Sequence, residues 1–248
     1  MELSREAHRD QRLSRISTLW TMVRQAHTTL PDARSQAHGK LLERYQGAVH
    51  AYLLGAVRNP EVADELFQEF ALRVVRGDFA RANPDKGRFR DYVRTALIHL
   101  VTDYHRERNA WPRPLTSDTP QVASAPATDS TQDFIAHWRE EMLERTWAAL
   151  AKVQPTYHAV LLLRVQNPDV PSPQMAEELS VQLGKPMEAD AVRKALQRAH
   201  AKFAELLLDE VAASLTEPTA KELEAELREL DLLRYCRLAL QRRKGPKE

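Results

Sequence analysis

The sequence predicts an all-α protein, two helical domains joined by a flexible linker, with a helix-turn-helix in the second. Three observations lead there. Apolar residues recur at steps of three and four along nearly every periodic segment, and the alternating pattern of half-buried strands is absent. Residues 112–133, PRPLTSDTPQVASAPATDSTQD, have no apolar period and are rich in Pro, Ser, Thr, Ala and Asp, the composition of an extended tether. Beyond it, two helical patterns are separated by Gly184, Lys185, Pro186 and Met187, which stop one helix and turn the chain.

The first domain covers residues 1–111. Residues 16–28 set Ile16, Leu19, Trp20 and Val23 on one side of a short helix, which Pro31 and Asp32 break. Residues 36–57 form a second helix with Leu41, Leu42, Tyr45, Val49, Tyr52 and Leu53 inward, closed by a turn at Asn59 and Pro60. A third helix over residues 61–76 buries Val62, Leu66, Phe70 and Val74. The segment 77–87, GDFARANPDKG, has Gly at both ends and Pro between them, which gives a non-helical surface path suited to binding.

The helix over residues 88–108, RFRDYVRTALIHLVTDYHRER, has two unlike faces. Phe89, Val93, Ala96, Leu97, Leu100 and Tyr104 make a core stripe at about 3.6 residues per turn. Tyr92, Thr95, His99, Asp103 and Arg106 make another face, carrying a ring, a hydroxyl, an imidazole, a carboxylate and a guanidinium. Such groups stack on bases, bond to base edges and neutralise phosphates. A solvated face of an ordinary amphipathic helix would carry the same residues, so the face alone does not decide.

The second domain covers residues 134–212, with helices through residues 135–153 and 155–165. Ser172 is an N-cap candidate, Pro173 suits a first turn, and Ala176, Leu179 and Leu183 share a face up to Gly184. A longer helix over residues 189–211 turns Val192, Leu196, Ala199 and Phe203 inward and exposes Arg193, Lys194, Gln197 and Arg198 near its start. In a helix-turn-helix, the start of the second helix lies nearest the bases; Arg and Gln there can pair with guanine and adenine edges. Residues 213–248 form a C-terminal helical extension: Thr219 and Glu222 make a capping box, and Leu223, Leu227, Leu230 and Leu233 follow as one apolar stripe. That stripe either folds back on the second domain or binds a regulator.

Composition narrows the function. The 248 residues are 43% apolar and 29% charged with a net charge of +1, so any nucleic-acid contact must come from local basic faces. One cysteine, Cys236, rules out an internal disulfide and a cysteine-only metal site. A charged N-terminus and the lack of an apolar run of membrane-spanning length point to the cytoplasm. None of the nine histidines has Glu three residues before it, and phosphate-binding glycine loops, nucleophile elbows and His-Glu-x-x-His are absent, so no catalytic residue, metal or cofactor is expected.

Taken together, ADELFQEFALRVV (63–75), GRFRDYVRTALIHLVTDYHRER (87–108) and VRKALQRAHAKF (192–203), in this order, resemble the extracytoplasmic-function type of bacterial sigma factor in the sigma-70 family. The resemblance covers about residues 41–207 and implies a protein that binds core RNA polymerase and promoter DNA. By that resemblance Asp64, Glu65, Gln68 and Glu69 dock on the polymerase; at steps of four along one helix, they form an acidic, amide-bearing patch suited to a basic surface. Asn83 and Lys86 fall in the loop expected to hold a flipped −10 base, Arg88 and Arg106 on phosphates, and Tyr92, Thr95 and His99 on the −10 strand. Arg193, Lys194, Gln197 and Arg198 fall on the −35 element.

The sequence departs from the pattern in places. Tyr92 stands where Trp is usual and His99 where Asn is common; residues 180–188 are longer than the family norm; about forty residues precede the usual start; and the tail is extra. An anti-sigma protein or other regulator is a further candidate partner. The competing reading is a helix-turn-helix regulator that binds DNA without polymerase.

Overall fold

The computed structural model describes residues 31–76, 78, 88–110, 129–215 and 218–244, and among these all regular structure is helical, in nine helices. The expected helix over residues 16–28, most of the loop 77–87 and most of the linker lie outside the described residues. The chain divides into two compact units: residues 1–141 with 213–218, and residues 142–212 with 219–248. No described helix is long and apolar enough to cross a membrane.

The first unit contains α1 (Pro31–Val57), α2 (Pro60–Arg76) and α3 (Phe89–Ala110), joined by the first turns of a fourth helix. Arg58 turns the chain between α1 and α2 in the left-handed region at φ 52°, and Asn59 caps α2, its Oδ1 accepting from the Val62 N–H at 3.1 Å. The core is largely the expected one. Tyr45, Val49, Tyr52 and Leu53 of α1, Leu66, Phe70 and Val74 of α2, and Phe89, Val93, Leu97 and Leu100 of α3 are buried. Each such side chain stabilises the unit by about 1.5–3 kcal/mol through water-excluded area.

The fourth helix, α4 (Asp129–Val153), starts earlier than the linker pattern allows. Residues 129–133, expected to be tether, are helical. Phe134 and Trp138, expected in the second domain, belong to the first unit. The reason is aromatic packing. Trp138 stacks on Tyr45 with ring centres 4.5 Å apart and planes 6° from parallel, and Phe134 meets Tyr52 edge-on at 5.5 Å. Burying two large rings one helical turn apart outweighs the weak helix propensity of the Asp, Ser and Thr before them.

The second unit holds the rest of α4 from Met142, then α5 (Pro155–Gln166), α6 (Ser172–Leu183) and α7 (Ala189–Ala213). Val160 of α5, Met175 and Leu179 of α6 and Val192 of α7 share one core, with Leu163, Leu183 and Leu196 against it. Arg164 pins the α5–α6 turn by donating to the Pro168 and Val170 carbonyls, each at 2.8 Å. Ser172 is not the cap of α6. Pro171 holds that position at φ −71° and ψ 153°, and Ser172 is the first helical residue with no capping bond. A proline there is preset for extended backbone and its carbonyl accepts from Met175 N–H at 3.1 Å, so the helix starts without a side-chain acceptor. Gly184 ends α6 at φ 63°, as expected.

The tail folds as two helices rather than one stripe: α8 (Ala220–Glu229) and α9 (Leu233–Lys244). The Thr219–Glu222 capping box forms as expected. Asp231, at φ 55°, then breaks the run. Leu232 N–H donates to Leu227 O at 2.8 Å and Asp231 N–H to Arg228 O at 3.1 Å, a left-handed helix stop that Asp tolerates. Leu223, Leu227, Leu230 and Leu232 are buried, and α9 lies on α7 through Cys236 and Arg243. Of the two fates expected for the tail, folding back on the second domain is the one observed.

Candidate nucleic-acid interface

The exposed face of α2 runs the length of the helix through Glu61, Asp64, Glu65, Gln68, Leu72, Val75 and Arg76. Its spacing of three and four leaves a single strip opposite the buried Leu66, Phe70 and Val74. Asp64, Glu65 and Gln68 lie on that strip as expected. Glu69 sits at its edge, half-buried, accepting from Arg73 Nε at 2.9 Å. Asp64 meets His50 of α1, Oδ1 to Nε2, at 2.7 Å. The strip is therefore acidic at its start and apolar toward its end, where Leu72 and Val75 are exposed.

Polar side chains on α3 are arranged by their own helix and by Asp78 before it. Thr95 Oγ1 donates to the Asp91 carbonyl at 2.8 Å, which leaves its oxygen lone pairs facing outward as acceptors. Tyr92 is half-buried and its hydroxyl donates to the Asp78 carbonyl at 3.3 Å. His99 is exposed. Arg106 pairs with Asp103 at 2.6 Å, an exposed pair that water screens and that exchange for a phosphate would cost little to break. Arg88 precedes the helix, half-buried, and its carbonyl accepts from the Asp91 and Tyr92 N–H groups. The helix thus brings Tyr92, Thr95, His99 and Arg106 onto one element with Arg88 just before it; Asn83 and Lys86 lie outside the described residues.

Sequence reasoning missed Arg90, which is buried at 2% exposure. The spacing held the signal: Arg90, Val93 and Leu97 stand three and seven residues apart, which places the guanidinium on the core stripe. It also missed Arg94, whose Nε is buried without a hydrogen-bond partner among the described residues, and His50, whose tie to Asp64 spans fourteen residues of sequence.

In the second unit, Arg193, Lys194, Gln197 and Arg198 are all exposed on the first turns of α7, with Val192 and Ala199 buried behind them. Arg193 pairs with Asp190 one turn earlier. Ser180 braces the turn between α6 and α7: its hydroxyl donates to Ala176 O at 2.6 Å and accepts from Met187 N–H at 2.8 Å. The residues between Gly184 and Glu188 are thereby tied back to α6.

Comparison with known proteins yields one finding. Residues 41–110 match the family described as Sigma-70 region 2. No curated protein and no solved structure matches. The matched residues take in the later part of α1, all of α2 with its acidic strip, and all of α3 with its polar face. The similarity to Sigma-70 region 2 thus falls on residues 41–110, the stretch that carries both the acidic strip and the polar face.

Proposed function

We propose that this protein is a sigma factor of the extracytoplasmic-function type, which binds core RNA polymerase, selects promoters through −10 and −35 elements, and favours strand opening. The observation that carries the reading is the Sigma-70 region 2 match over the same helices that bear the acidic strip and the polar face. Asp64, Glu65, Gln68 and Glu69 form the docking patch; a basic, helical surface on the polymerase is its complement. Leaving the duplex costs a few kcal/mol per unstacked base. Stacking on an aromatic such as Tyr92 returns about 1–3 kcal/mol per base, and hydrogen bonds accepted by Thr95 and formed by His99 read the extruded strand. Asn83 and Lys86 line the loop that receives the flipped base, and Arg88 and Arg106 hold phosphates. The α6–α7 pair acts as a helix-turn-helix with Arg193, Lys194, Gln197 and Arg198 at the −35 element.

In this reading the protein performs no bond chemistry; it contributes binding energy to a strand-separated state and works in the cytoplasm. Run-off transcription with purified core polymerase on a genomic fragment library tests it. Defined start sites that depend on the added chain are expected; core enzyme that initiates no differently with the chain present would overturn the reading. Replacing His99 by Asn should change the preferred −10 bases more than overall affinity, as measured by randomising those bases in the same assay. A regulator that used its helix-turn-helix without polymerase would instead bind promoter duplex and fail to bind core enzyme in a pull-down.

A further inference from the structure

Charge is distributed unevenly in the second unit. Helix α9, LRYCRLALQRRK, contains Arg234, Arg237, Arg242, Arg243 and Lys244 and no carboxylate, in a chain whose net charge is only +1. Cys236, Ala239 and Leu240 are buried, so Arg234, Tyr235, Arg237, Leu238, Gln241 and Arg242 face outward. Arg243 is spent on Asp209 and the Leu208 carbonyl. Arg234 is 3.6 Å from Asp231 and lies over the Tyr235 ring. Arg237 and Arg242 are exposed and form no ion pair among the described residues.

The position of α9 gives this charge a direction. Cys236 Sγ comes within 3.9 Å of the Ala204 carbonyl and Arg243 Nη1 donates to the Leu208 carbonyl at 3.5 Å, so α9 rests on the later turns of α7. Residues 193, 197, 201, 204 and 208 of α7 follow one another at steps of three and four and so share a face. That face is open at Arg193 and Gln197 and buried at Ala204 and Leu208. The basic helix therefore flanks the same side of α7 that presents its polar start. Seven residues of helix, from Gln197 to Ala204, span about 10 Å, comparable to a major groove roughly 12 Å wide.

We propose that α9 is a second DNA-contacting element, whose arginines lie on the phosphate backbone beside the groove entered by the start of α7. The inference rests on the reading of α7 as a recognition helix. Arg237 and Arg242 donate to phosphate oxygens without regard to sequence, and each lost contact removes about one counterion from the salt dependence. Leu238, 70% exposed between them, has no group to offer a phosphate and is a built-in control.

The test uses the full chain and random-sequence duplex DNA, with the logarithm of affinity measured against the logarithm of salt concentration. For Arg237→Gln/Arg242→Gln the slope should become shallower by about two, while Leu238→Gln leaves it as in the parent. Arg193→Ala/Arg198→Ala, measured in parallel, should also lower the slope. A slope unchanged in the α9 variant but reduced in the α7 variant overturns this proposal and leaves the recognition helix standing. A slope unchanged in both removes the α7 reading and the α9 inference with it. Polyglutamate is the second probe: if the α9 variant loses polyglutamate while its duplex slope stays at the parent value, the face is built for an acidic protein and the DNA proposal fails. Circular dichroism and thermal melting matching the parent exclude misfolding of these exposed substitutions as the cause.

Discussion

Trp138 has no exposed surface and lies face to face with Tyr45, against Phe134 on its own helix. Truncating it leaves a large void among stiff rings that cannot close over it. Trp138→Ala should destabilise the first unit by about 3–5 kcal/mol, read as a shift in the denaturant midpoint by circular dichroism. Cys236 shows the opposite behaviour, an inert group held by its surroundings. Burial pushes its thiol from the usual 9.0 up to about 12. The folded chain keeps the proton where the unfolded chain releases it, so this stabilisation is full below pH 9 and is lost as pH rises toward 12. The difference in unfolding free energy between the parent and Cys236→Ala should shrink across that window, and a thiol-reactive dye should label the folded chain only slowly at pH 8. Neither behaviour could be foreseen from the residue's own identity: one cysteine and one tryptophan say nothing of their neighbours.

Among the elements, the ends are as informative as the faces. Gly184 stands at φ 63° with open space where a side chain would go. Gly184→Ala therefore meets no clash, and its cost is the left-handed backbone alone, about 1–2 kcal/mol by denaturant unfolding. A larger loss would mean that the turn between α6 and α7 packs more tightly than its bonds suggest. The capping box at Thr219 and the glycine stop at 184 were legible because they depend on bonds within a few residues. The cap of α6 and the break in the leucine run were not. Ser172 is a better acceptor than proline by propensity, yet Pro171 sets the entry, and Asp231 adopts a conformation that its type permits without requiring. Period alone read Leu223 to Leu233 as one stripe because nothing local forbids it.

Over the whole molecule, a net charge of +1 conceals local opposites: an acidic strip on α2 and a carboxylate-free α9. On the proposed function these faces serve separate partners and should be separable by mutation. Asp64→Lys/Glu65→Lys should abolish binding to core polymerase in a pull-down while the full chain keeps its affinity for duplex DNA. Arg193→Ala/Arg198→Ala should do the reverse, with −35 recognition weakened by about 1–3 kcal/mol per base-reading contact. A charge-reversed α2 that still binds core enzyme as tightly as the parent would sink the docking assignment, whatever the DNA variants show.

What the sequence determined by itself is the helical class, the core stripes of α1, α2 and α3, and the local stops and starts, because periodicity and caps act between residues a few positions apart. The helices that match the Sigma-70 region 2 family were legible for the same reason: the motifs that carry the resemblance lie within single helices. Tertiary structure decided the rest. It drew residues 129–141 into the first unit through Phe134 and Trp138, tied His50 to Asp64, buried Arg90, and folded α9 onto the later turns of α7. Those outcomes turn on which surfaces meet, and side chains far apart in sequence gain their burial energy only once the chain has folded back to bring them together.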